Sequence, residues 1–81
     1  MNDDERAQHA KRILEDPVFV EAYDLLRDEI LTTWEHSGAH DQTERETAWL
    51  ALKILSRFRV HFESLVTTGE MSKRKNEIGL M

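Results

Sequence analysis

A single proline divides this chain of 81 residues, and an aspartate stands directly before it, as Asp16-Pro17. Proline has no N–H to donate and holds its own φ near the helical value, so it fits the first position of a helix, where no intrahelical bond is lost. The residue before it is pushed out of the α region. An aspartate there can accept hydrogen bonds from the free N–H groups of the helix that follows. The pair predicts a break at Asp16 between helices over 3–15 and 17–35. The first carries a thin apolar stripe of Ala7, Ala10, Ile13 and Leu14, which needs a surface to lean on. The second carries Phe19, Ala22, Tyr23, Leu26, Ile30 and Trp34 at helical spacing, widened by Val18, Leu25 and Leu31.

The segment from His36 to Asp41 reads as a loop, with Gly38 suited to the left-handed residue that ends a helix. Thr43 stands three before Glu46 as a capping box, and Asp41 three before Glu44 as a second candidate. A third helix is expected over 44–68, ended by Gly69 and about 37 Å long. Its first half, Ala48 to Leu55, is apolar nearly all round, interrupted only by Lys53, and two short helices cannot surround it. Its second half narrows to a seam of Ala51, Leu55, Phe58, Phe62 and Leu65, in the steps of a coiled coil. In an antiparallel hairpin Trp34 and Trp49 would meet as an apolar plug near the turn, with Leu52 beside them in the candidate core and interface. Residues 69–81 read as a tail, flexible or partner-binding, with the basic run Lys73-Arg74-Lys75 and apolar Ile78, Leu80 and Met81.

One domain fits this length, and a domain so small buries only about 60% of its unfolded surface. With no cysteine, neither disulfides nor Cys-ligated metals can staple it, and a chain this short without staples often gains stability by pairing with copies of itself or with a partner. The net charge is −5, which argues against general coating of DNA or anionic membranes. Residues 1–46 hold 13 acids and 5 bases, and residues 47–81 hold 3 acids and 6 bases, so the halves are opposite in sign. The acidic, polar first five residues do not fit a secretory or mitochondrial leader, and no apolar run approaches the roughly 20 residues that span a bilayer. A cytoplasm, or a particle assembled in one, is the expected location.

Catalytic chemistry finds no motif. There is no nucleophile elbow, phosphate-binding glycine loop or dinucleotide fingerprint, and no cofactor or small-molecule substrate is expected. His36 and His40, beside Asp41, have a spacing that suits a metal on a helix, but Gly38 lies between them in a loop and no metal site is expected. Arg57, Arg59, Lys73, Arg74 and Lys75, with Lys53, are the candidates for phosphate contact. Phe58 and Phe62 lie on the seam face, which suits a core better than a stacking platform.

The run Ala10-Lys11-Arg12-Ile13-Leu14-Glu15-Asp16-Pro17-Val18-Phe19 continues through Glu21-Ala22-Tyr23-Asp24, Trp34, Asp41, Arg45-Glu46, Trp49 and Thr68-Gly69. Over residues 7–70 this pattern resembles small helical proteins of tailed bacteriophages, encoded near DNA-packaging and head genes. The resemblance implies a host cytoplasm or a virion as the setting, and a virion component or an oligomeric packaging factor such as a small terminase subunit as the role. Small terminase subunits carry a separate DNA-binding head before their oligomerising helices, and this chain has only its short first helix there.

The expected architecture is all-α: a short N-terminal helix followed by a long antiparallel helical hairpin over residues 1–68, oligomeric or docked on a partner. The expected function is a non-enzymatic phage assembly protein that acts through helix-mediated oligomerisation or docking, its partner another copy or a larger phage protein. A nucleic-acid-binding module is the second reading, and an acidic inhibitor of a host protein the third.

Overall fold

The computed structural model describes residues 1–79 of the chain; Leu80 and Met81, at the end of the expected tail, lie outside the described residues. Those residues form three helices: α1 (Asp3–Glu15), α2 (Pro17–Glu35) and α3 (Gln42–Gly79). Asn2 caps α1, its side-chain oxygen accepting the Glu5 N–H at 2.8 Å. Asp3, Asp4 and Glu5 fill the first turn and Arg12 the last, which complements the helix dipole at both ends.

Asp16 does two things at once. Its backbone is extended, as the following proline requires, and its N–H donates to Ile13 O at 3.2 Å to close α1. Its carboxylate then accepts the N–H groups of Val18 at 2.8 Å and Phe19 at 3.2 Å to open α2. A single residue thus bends the chain without a loop.

The turn after α2 closes differently from the glycine terminator expected there. No glycine among the described residues has positive φ. The last carbonyls of α2 are satisfied instead by the N–H of His36 on Thr32 O and of Ser37 on Trp34 O, and by the Ser37 hydroxyl, which donates to Trp34 O at 2.6 Å. The Gly38 carbonyl accepts the Asp41 N–H and the Arg45 guanidinium. Asp41, not Thr43, caps α3, accepting the Glu44 N–H at 3.0 Å, so the helix starts at Gln42.

The end of α3 corrects the sequence reading more deeply. Gly69 does not stop the helix, which continues through the expected tail to Gly79. Gly69 is buried because α1 crosses α3 there: a Cβ at this position would collide with the Ala7 Cβ and lie 2.9 Å from Asp3 O. A glycine inside a helix costs about 1 kcal/mol against alanine, and here the close approach of a second backbone offsets that cost. The residues after it, Glu70 to Lys75, are mostly good helix formers and carry the helix on.

α1 and α2 follow one another along α3, each antiparallel to it. Asp3 and Ala7 lie at Gly69, Phe19 lies at Phe62, and Ile30 and Thr33 border Thr47, Ala48 and Ala51. The result is a rod of 63 × 23 × 17 Å with a radius of gyration of 17.9 Å, where a compact chain of this length would have about 12 Å. Among the described residues Ala7, Ala10 and Ala48 are the buried apolar side chains, and no large side chain is fully buried.

Candidate interaction surface

Between α2 and α3 the chain places its aromatic residues. The Phe19 ring meets Phe62 edge-on at 5.8 Å, Phe62 meets Phe58 at 5.1 Å, and Phe19 stacks with Tyr23 at 6.5 Å. These separations suit the ring quadrupoles. Phe19, Tyr23 and Phe62 are half-buried, as are Leu52, Leu55 and Leu65, so the cluster is a partial core open on its flanks.

The two tryptophans do not form the plug expected at the turn. Trp34 is 50% exposed and Trp49 55%, and no ring pair joins them. Trp49 lies instead under the Lys53 ammonium, 5.5 Å from its ring centroid, beside a groove bordered by Tyr23 and Arg27. The positions differ because α2 and α3 present their apolar stripes, not their tryptophans, to each other: half-buried Leu52 and Leu55 face the α2 side beside Tyr23.

An apolar row is left open on α3. Leu50, Ile54 and Phe58 recur every four residues and are 53, 67 and 52% exposed. Ile54 and Phe58 also lie on a stripe of Thr47, Ala51, Ile54, Phe58, His61 and Leu65, spaced by 4, 3, 4, 3 and 4. Its Ala51 and Leu65 are half-buried at the border with the α2 side, and its Thr47 and Ala51 lie near Ile30 and Thr33. That spacing is a second coiled-coil register beside the one read from the sequence. The expected seam of Ala51, Leu55, Phe58, Phe62 and Leu65 therefore divides. Leu55 and Phe62 turn toward α2, while Phe58 stands at the edge shared with the open stripe. The signal for this second stripe was in the sequence, as the all-round apolar girdle at Ala48–Leu55.

The basic residues do not converge. Arg59 lies over the Tyr23 ring at 5.1 Å and pairs with Glu63 at 3.2 Å. Arg57 sits two positions earlier, about 200° around the helix. Lys73, Arg74 and Lys75 are exposed on successive helical positions and so point in three directions, about 24 Å further along α3 than Arg57. Lys73 borders a groove with Asp4.

At the turn, the Glu44 N–H, the Glu44 carboxyl and then the Arg45 charge hold the Asp41 carboxyl below its ordinary value. Glu44 is pushed up in return, by that shared hydrogen bond and by the Asp41 charge. The cause is local: one helix start brings two carboxyls together. His36 Nδ1 lies 3.0 Å from Thr32 O, within its own helix end. Among the described residues no three His, Asp or Glu side chains gather as metal ligands do, and no helix is long and apolar enough to cross a membrane.

No family model matches the chain, and no characterised protein or solved structure shows significant similarity to it.

Proposed function

We propose that the chain is a non-enzymatic assembly protein that acts by packing its long helices against the helices of other subunits. One observation carries this reading: among the described residues no large side chain is fully buried, yet Leu50, Ile54 and Phe58 stand in line on α3, each more than half exposed. Isolated exposed apolar residues are ordinary, but a contiguous apolar stripe on an ordered helix is the mark of an interaction face. The resemblance of residues 7–70 to small helical phage proteins supplies the proposed setting, the assembly of a virion or of its DNA-packaging machinery.

The test is co-sedimentation of the chain with capsid or packaging intermediates during phage head assembly, beside an Ile54→Glu variant. Association lost in the variant is expected. A wild-type chain that stays entirely free of such intermediates overturns the setting.

The nucleic-acid reading has the exposed run Lys73-Arg74-Lys75 in its favour. It predicts binding to duplex DNA that falls by about one log–log unit of salt dependence for each phosphate contacted. The dispersal of Arg57, Arg59 and the run around and along α3 supports it less well than the open stripe supports assembly.

A further inference from the structure

We propose that a second copy of this chain closes the Ile54–Phe58 face of α3, with Leu50 at its flank, the two α3 helices packing antiparallel about a two-fold axis at the level of Ser56. The proposal rests on the assembly reading and names the partner.

The stripe suits a second copy of itself in the reversed direction. Its steps of 4, 3, 4, 3 and 4 read the same in both directions, with their midpoint at position 56. Antiparallel pairing about that midpoint sets Ile54 against the partner's Phe58, Ala51 against the partner's His61, and Thr47 against the partner's Leu65. Each layer joins a smaller side chain to a larger one, and layers of even volume are what knobs-into-holes packing needs. A parallel pair would set Ala51 on the partner's Ala51 and Phe58 on the partner's Phe58, leaving alternate gaps and crowding.

Area supports the same occupant. The chain exposes 6745 Å², whereas a compact monomer of 9.5 kDa exposes about 5,000 Å² by the usual scaling. The excess of about 1,700 Å² is within what one subunit contributes to an obligate homodimer, roughly 1,000–2,500 Å².

Charge supports the orientation. The turn end of the molecule carries Glu35, Asp41, Glu44 and Glu46 against Arg45. A parallel pair brings two such ends together. An antiparallel pair separates them by about 42 Å along α3 and sets each turn level with the partner's Lys73-Arg74-Lys75. This gives the basic run a place in the assembly without nucleic acid.

Two experiments on the full chain test it. In sedimentation equilibrium, the wild type is expected at twice its 9.5 kDa mass, with Ile54→Glu dissociating at least tenfold more readily because it would bury a charge in the seam. A monomer at every concentration, or a trimer, overturns the proposal. The assembly reading then stands or falls separately, on co-sedimentation with phage intermediates.

The second experiment does not depend on the glutamate variant folding. The chain has no cysteine, so Ala51→Cys and His61→Cys chains can each carry one thiol. Mixed and oxidised, they are expected to form the mixed disulfide in preference to either homodisulfide. Efficient crosslinking of Ala51→Cys to itself overturns the antiparallel arrangement.

Discussion

α3 is packed by two partners in two ways. Along its second half α1 comes close, through Ala7 and Ala10 on one side and Gly69 on the other, and these positions are buried. Along its first half α2 stands further off over most of its length, held at a distance by Phe19, Tyr23, Leu52, Leu55 and Phe62, all only half-buried, with Ala48 near the turn the one buried exception among the described residues. Small residues let two backbones meet and close a seam with little surface left over. Large side chains carry more apolar area but need neighbours on every side, and two helices supply only one side. The α1 seam is therefore complete within the chain, and the α2 seam is half of a larger core.

Each seam has a substitution that it should tolerate least. Phe62→Ala removes the ring that joins Phe19 to Phe58. Truncation of a core phenylalanine costs about 3–5 kcal/mol, and the half-buried Phe62 belongs at the lower end. For a domain of this size that is a large share of total stability. A melt followed by circular dichroism should show it, with Arg59→Ala as a control that changes little, since exposed charges contribute little. A Phe62→Ala variant that melts like its parent would show that the aromatic cluster holds nothing together.

Gly69→Ala is the counterpart in the close seam. Alanine gains about 1 kcal/mol in helix propensity, but the added Cβ meets the Ala7 side chain and the Asp3 carbonyl, neither of which is a flexible end that can swing away. Overpacking of this kind costs typically 1–3 kcal/mol, so the expected net effect is a destabilisation of about 1 kcal/mol. The reading sharpens if hydrogen exchange shows α1 amides losing protection while the first turns of α3 keep theirs. A more stable Gly69→Ala protein would mean that α1 does not approach α3 as closely as the structure has it.

These two sites also show what a sequence can and cannot disclose. The helices and the break between the first two are legible because their causes are local: Asp16 and Pro17 act on the residues beside them, and the apolar spacing of Phe19 to Trp34 is periodic. Gly69 reads as a helix end because a glycine after a long apolar helix looks like one, whereas the reason for it lies 62 positions away, at Ala7. The tryptophans differ from expectation for a related reason: their level along a hairpin can be counted, but their direction around each helix depends on which stripe faces inward. The open stripe was half legible. The apolar girdle at Ala48–Leu55 shows that α3 has more apolar face than α1 and α2 can cover, but which residues remain open follows only from the packing of α2.

Between the two seams lies the joint, and its effect should be smaller. Asp16→Ala removes the acceptor for Val18 and Phe19, which costs typically about 1 kcal/mol, whereas Asp16→Asn keeps an oxygen there and should cost only a fraction of that. If the joint couples the two halves, Asp16→Ala should lower hydrogen-exchange protection at the end of α1 and the start of α2 alike. Loss confined to α2 would show that the halves are independent and that Pro17 alone sets the bend.

The smallest expected effect is at the turn that starts α3, and it depends on pH. Asp41 is held below its ordinary value, so what its ionised form contributes is present above the usual aspartate range and is lost as pH falls through the lowered value. Glu44 is raised, so what its protonated form contributes is present below the usual glutamate range and is lost as pH rises through the raised value. The two limbs overlap around pH 4, where a neutral Glu44 carboxyl can donate to an ionised Asp41. Amide protection in the first turn of α3 should therefore peak near that pH and fall on either side. Glu44→Gln supplies a donor at every pH, so its variant should hold the protection on the alkaline side while keeping the acid limb set by Asp41. Both carboxyls titrating in the isolated protein at ordinary values, with no peak in protection, would show that the capping aspartate acts through its backbone partner alone.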